Sequence, residues 1–208
     1  MSRSNTLFLM LAVLLTATSA KSASETEIMP PSGAQRFLAE GELTLAPMAW
    51  IRFCVRNPAQ CRIDGASKVD LTEEKMAELE QVNIRVNRRI RETPDQSARD
   101  TWDIDVVAGD CDDYAVQKRK ELIALGWPPR SLSLAMGYAR GVPHLVLTVR
   151  TGNGDLVLDN LRGDITHAST TGYRWLKRQS PENPYYWVAV VPQRKGDQVA
   201  RAKRSELN

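Results

Sequence analysis

From Leu71 to Glu92 apolar residues recur every three or four positions, at Met76, Leu79, Val82, Val86 and Ile90, with polar and charged residues between them. That spacing predicts a long amphipathic helix, with Thr72 placed to cap its start. A second helical pattern runs from Cys111 to Leu125, with Tyr114, Ala115, Leu122 and Leu125 on one side and Gly126 and Pro128 as its stop. A shorter one, Ala46 to Asn57, carries Trp50 and Phe53. Thr93 to Gly109, with Pro94, several aspartates and Trp102, reads as an irregular connection.

Beyond Pro129 the texture changes to strands, over Ser131 to Tyr138, His144 to Arg150, Leu156 to Asn160 and Tyr185 to Val191. Helices followed by strands imply an α+β fold rather than an alternating α/β one. Thr151-Gly152-Asn153-Gly154 is a strong turn signal, so the second and third of these strands should form a hairpin. A turn centred between Gly152 and Asn153 sets His144 opposite Leu161 and makes Asp159 its diagonal neighbour on the same face. A slip of register would exchange Asp159 for Asn160, or bring in Asp155 or Asp164.

The start of the chain has Arg3, then an apolar run from Leu7 to Leu15, then small residues to Ala20. This is the pattern of a secretory signal peptide, too short for the roughly 20 residues that span a bilayer. The expected organisation is a signal peptide over 1–20, a flexible leader over 21–40, one domain over 41–191 and a polar basic tail over 192–208. The exported product is then soluble, and periplasmic or secreted. A net charge of +3 is small. The basic clusters Arg85 to Arg91, Lys118-Arg119-Lys120 and Arg194 to Arg204 read as solvated surface, which gives no nucleic-acid stripe.

Three cysteines in an exported chain suggest one pair and one leftover. Cys54 and Cys61 flank Pro58, which ends a helix and turns the chain back, so a local disulfide is expected there. Cys111 is then the free thiol. It follows Gly109-Asp110 at the start of a helix, where the helix dipole favours a thiolate. Asp110, Asp112 and Asp113 suit the same dipole, yet they oppose thiolate formation unless a cation or an imidazolium compensates. His144 and His167 are the histidines available as a base. His144 is the candidate, with Asp159 to fix its tautomer, and His167 reads as surface. A zinc site built from Cys111, His144 and Asp159 is the metal alternative.

Gly109-Asp110-Cys111-Asp112-Asp113-Tyr114-Ala115, Val142-Pro143-His144-Leu145-Val146-Leu147 and Leu158-Asp159-Asn160 resemble the bacterial transglutaminase-like cysteine proteinases, which include the LapG-type periplasmic proteases. Val86-Asn87-Arg88-Arg89-Ile90 and Trp102 belong to the same pattern. The resemblance implies a papain-like core, with Cys111 as nucleophile, His144 as base and Asp159 as its orienter. It implies no cofactor for the chemistry, and a calcium site at Asp110, Asp112 and Asp113, although LapG-type motifs usually carry Glu where this chain has Asp112. It further implies a protein substrate, in relatives a cell-surface adhesin, and control by an inner-membrane receptor. The same three residues would serve a transglutaminase or deamidase, and a degenerate member of the fold would only bind peptides.

Overall fold

The computed structural model describes residues 36–94 and 100–192. The expected signal peptide, most of the leader and nearly all of the basic tail lie outside the described residues. Three helices precede most of the strands. They are α1 (Met48–Arg56), α2 (Glu73–Arg89) and α3 (Cys111–Ala124). Thr72 caps α2 as its sequence suggests, its hydroxyl accepting from the Lys75 N–H at 3.3 Å. Cys54, near the end of α1, is joined to Cys61 by a disulfide.

The strands are β1 (Glu40–Thr44), β2 (Arg91–Glu92), β3 (Ala108–Gly109), β4 (Leu132–Ala139), β5 (Val142–Thr151), β6 (Gly154–Leu158), β7 (Thr166–His167), β8 (Arg174–Gln179) and β9 (Trp187–Val190). Seven of them form one antiparallel sheet in the order β1-β9-β8-β4-β5-β6-β7, while β2 and β3 make a short parallel pair. The α+β expectation holds. The leader ends earlier than expected, because Leu38 is buried with its N–H on Asp155 at 2.8 Å, and Glu40 already belongs to β1.

Alternation along the strands divides the sheet into two faces. Leu145, Leu147 and Val149 of β5 join Leu156 and Leu158 of β6 in the main core, together with Trp50, Phe53, Leu79, Val82, Val86 and Leu122 of the helices. Val146 and Val157 point the other way, into a smaller cluster with Leu38, Ala135 and Ala168. The turn between β5 and β6 is centred between Gly152 and Asn153, since Thr151 pairs with Gly154 and Leu147 with Leu158. Gly154 sits at φ +134°, a conformation that favours glycine.

Two expectations about charge are corrected. Lys118 and Arg119, read as solvated surface, are 0% and 1% exposed. Arg119 is kept there by carbonyls, those of Leu132 and Pro129 at 3.3 and 3.4 Å and that of Gln60. Lys118 has no comparable hydrogen bonds.

Candidate active site

β5 pairs with the whole length of β4, out to Ala139 and Val142, but β5 and β6 pair only as far as Leu147 and Leu158. The first half of β5 is therefore an open edge on the side that β6 leaves. α3 packs against β5, and its first residue is Cys111. The backbone N–H of Leu145 faces the Cys111 thiol and favours its charged form. Cys111 thus meets the residue next to His144.

His144 precedes Leu145 at the head of β5, in the part of the strand that β6 leaves open. Its side chain is 7% exposed, and Nε2 lies 2.9 Å from Oδ1 of Asp159. Asp159 follows directly on β6, and its Oδ1 also accepts from the Leu161 N–H at 3.0 Å. Oδ2 accepts from the hydroxyl of Tyr173, whose ring stands edge-on to the imidazole at 5.7 Å and 86°. Burial acts to raise the Asp159 carboxyl, but hydrogen bonds from His144, Tyr173 and Leu161 outweigh it and hold the group below its ordinary value. With Nε2 engaged, Nδ1 is the imidazole nitrogen left for another partner. Of the alternatives to Asp159, Asp155 is bound to Arg150 and Arg178, and Asp164 pairs with Arg162 at 3.8 Å. His167 lies apart from this constellation, on β7.

The start of α3 is built by a capping box. The Asp110 side chain takes the Asp112 N–H at 3.4 Å, and Asp113 Oδ2 takes the Asp110 N–H at 3.3 Å. Asp113 Oδ1 accepts from the Asp103 N–H at 2.7 Å. A Cβ on residue 109 would overlap the Asp113 carboxylate, so close approach is what requires glycine there. Asp110, Cys111 and Asp112 bring ligand atoms within 4.8 Å of one another, and Asp113 falls outside this group.

The electrostatics differ from the sequence expectation. Burial pushes the Cys111 thiol up to about 12, with the charges of Asp112 and Asp110 adding to it, against the nearby N–H groups of Leu145 and Cys111, which favour the charged form. The helix end does not by itself make a thiolate. Asp112 is pushed up to about 11, first by burial and then by Asp110, Asp113 and Asp100, and its Oδ1 is buried with no hydrogen-bond partner.

Tyr173 and Lys118 were not singled out by sequence reasoning. Tyr173 lies just before β8, in a Ser/Thr-rich stretch with no pattern to mark it.

Residues 40–195 match the family described as bacterial transglutaminase-like cysteine proteinase BTLCP. No curated protein matches the sequence. Among solved structures, the chain is similar to calcium-bound LapG of Legionella pneumophila at 26% identity, over 62% of this chain and 79% of that one, with a TM-score of 0.49. The EGTA-treated form of the same protein gives 27% identity, 62% and 77% coverage and a TM-score of 0.45.

Proposed function

We propose that this chain, which belongs to the bacterial transglutaminase-like cysteine proteinase family and is a cysteine peptidase, cleaves peptide bonds with Cys111 as nucleophile, His144 as base and Asp159 as its orienter. The observation that carries the assignment is the double engagement at the head of β5. His144 Nε2 is held by Asp159 at 2.9 Å, while the next backbone N–H, that of Leu145, faces the Cys111 thiol and favours its charged form.

In the first step the thiol proton passes to Nδ1 of His144 and the sulfur attacks the carbonyl carbon of the scissile bond. Asp159 and Tyr173 fix the ring and stabilise the imidazolium that results. The imidazolium then gives its proton to the leaving amine, and a water activated by the neutral ring releases the acid from the thioester. The Cys111 N–H at the helix start is one donor for the oxyanion. Because the isolated thiol resists ionisation, proton transfer to His144 is what makes the sulfur nucleophilic. Transglutamination and deamidation share the first half of this sequence.

A calcium ion suits Asp110 and Asp112, since both offer hard oxygens and Asp112 Oδ1 is an orphan. When bound it would supply positive charge beside the thiol. Asp113 is engaged by backbone N–H groups. The disulfide and the N-terminal pattern support a periplasmic or secreted location. Among the described residues no helix is long and apolar enough to cross a membrane. A protein is the substrate class of such a peptidase. A cell-surface protein as substrate and an inner-membrane receptor as regulator belong to this proposal on the family resemblance alone.

The test is the rate of Cys111 alkylation by iodoacetamide against pH. Fast labelling below pH 7 in wild type, abolished in a folded His144→Ala variant, is expected. Slow labelling that is indifferent to His144 would favour a non-catalytic binding role.

A further inference from the structure

Lys118 lies on α3 two turns after Cys111, is 0% exposed, and its ammonium has no hydrogen-bond partner. The Tyr114 ring stands 5.8 Å from it. On the neighbouring helix α2, Asn83 and Asn87 direct their amide nitrogens to the loop that leaves β6. Asn83 Nδ2 donates to the carbonyls of Arg162 at 3.2 Å and Gly163 at 3.0 Å, and Asn87 Nδ2 to those of Asp159 at 2.8 Å and Arg162 at 3.1 Å. The amide oxygens of both asparagines are buried and, like Lys118 Nζ, unpartnered.

Isolated, each of these groups is costly to bury, and an ammonium most of all. As a set they are complementary, because α2 and α3 pack together with Tyr114 on the Ile90 carbonyl and Arg85 on Glu121, a register that sets Lys118 of α3 beside the Asn87 turn of α2. A methionine would fill similar space without the desolvation cost, so packing alone does not account for a lysine. The nearby anion is Asp159. Burial pushes the Lys118 ammonium down to about 7, and the Asp159 carboxylate is the charge that opposes this fall. The loop held by Asn83 and Asn87 is the one that presents that carboxylate to His144.

We propose that Lys118 is a positioning residue: its buried positive charge, with Asn83 and Asn87, holds the Asp159 carboxylate and its loop where they meet the imidazole of His144. This rests on the assignment of His144 and Asp159 given above. Lys118 touches no reacting atom and acts through Asp159.

Two uncharged variants of the full chain test it. Lys118→Met keeps the length of the side chain, and Lys118→Gln keeps a polar head for the asparagine oxygens where Met fails to fold. The first readout is the imidazole N–H resonance of His144 bonded to Asp159, identified by proton NMR; the chain has two histidines, and His167→Gln removes the other. The second is the rate of Cys111 alkylation by iodoacetamide at pH 6. Folded variants should lose the downfield imidazole proton and react about tenfold more slowly, roughly the effect of a 1.4 kcal/mol loss. A folded variant that keeps both the resonance and the rate overturns the proposal. If wild type itself labels slowly and His144→Ala changes nothing, the triad assignment fails instead. The imidazole proton then still decides the role of Lys118, since it reports the His144–Asp159 bond and not catalysis.

Discussion

Asp112 and Asp159 respond to pH in opposite directions. Asp112 is pushed up to about 11 and Asp113 to about 7, each first by burial. The folded chain therefore binds more protons here than the unfolded chain does above about pH 4. The stability tied to these two groups is fully present below that pH and is lost as pH rises through 7 and on towards 11. In EGTA, the melting temperature should fall between pH 5 and pH 8, and Asp112→Asn should flatten the fall and melt higher than wild type at pH 8. Asp159, held below its ordinary value, contributes stability that is present above about pH 4 and lost as pH falls further. Tyr173→Phe removes the hydroxyl on Asp159 Oδ2. It should cost about 1.5–3 kcal/mol in urea unfolding at pH 7, typical of a bond to a charged group, and should slow Cys111 alkylation.

Among the elements, the entry of α3 concentrates the constraints. Gly109→Ala should break the capping box, because the new Cβ meets the Asp113 carboxylate. A drop of about 1–2 kcal/mol in stability is expected by analogy with the loss of a helix cap, together with slower labelling of Cys111; unchanged values for both would show that the cap does not position the thiol. Much of this element was legible: a glycine, an acidic first turn and a free cysteine stand together in the sequence. The hairpin was legible to the residue, since its glycine-rich turn fixed the centre that brings Asp159 to His144. β8 was not. Its sequence, Arg174–Gln179, is rich in cations, and its buried Arg178 is stabilised by Asp155 at 2.9 Å, a partner 23 residues earlier. β1 was missed for the converse reason, as an edge strand with little buried surface shows no alternation. Lys118 belongs with β8: a charged residue in a helical pattern reads as solvent-facing until its neighbours are known.

Across the whole molecule, one sheet edge collects the residues of the proposed site, and calcium is the ligand expected to alter its stability. Saturation at about 100 times Kd should raise stability by roughly 2.7 kcal/mol through linkage. A calcium-dependent rise in melting temperature that Asp112→Ala removes would establish the site, and no saturable heat by calorimetry would exclude it. The opposite end of the sheet has a different consequence. Among the described residues β1 pairs with β9 and with no other strand, so the first of these strands waits for the last. During synthesis or vectorial passage through a membrane channel, residues 40–44 have no hydrogen-bonding strand until residues 187–190 emerge. Residues 87–173, which carry Cys111, His144, Asp159 and Tyr173, emerge before that. A chain halted before β9 would leave β1 and the β9-facing edge of β8 unpaired, a state suited to recognition by chaperones or to aggregation rather than to use.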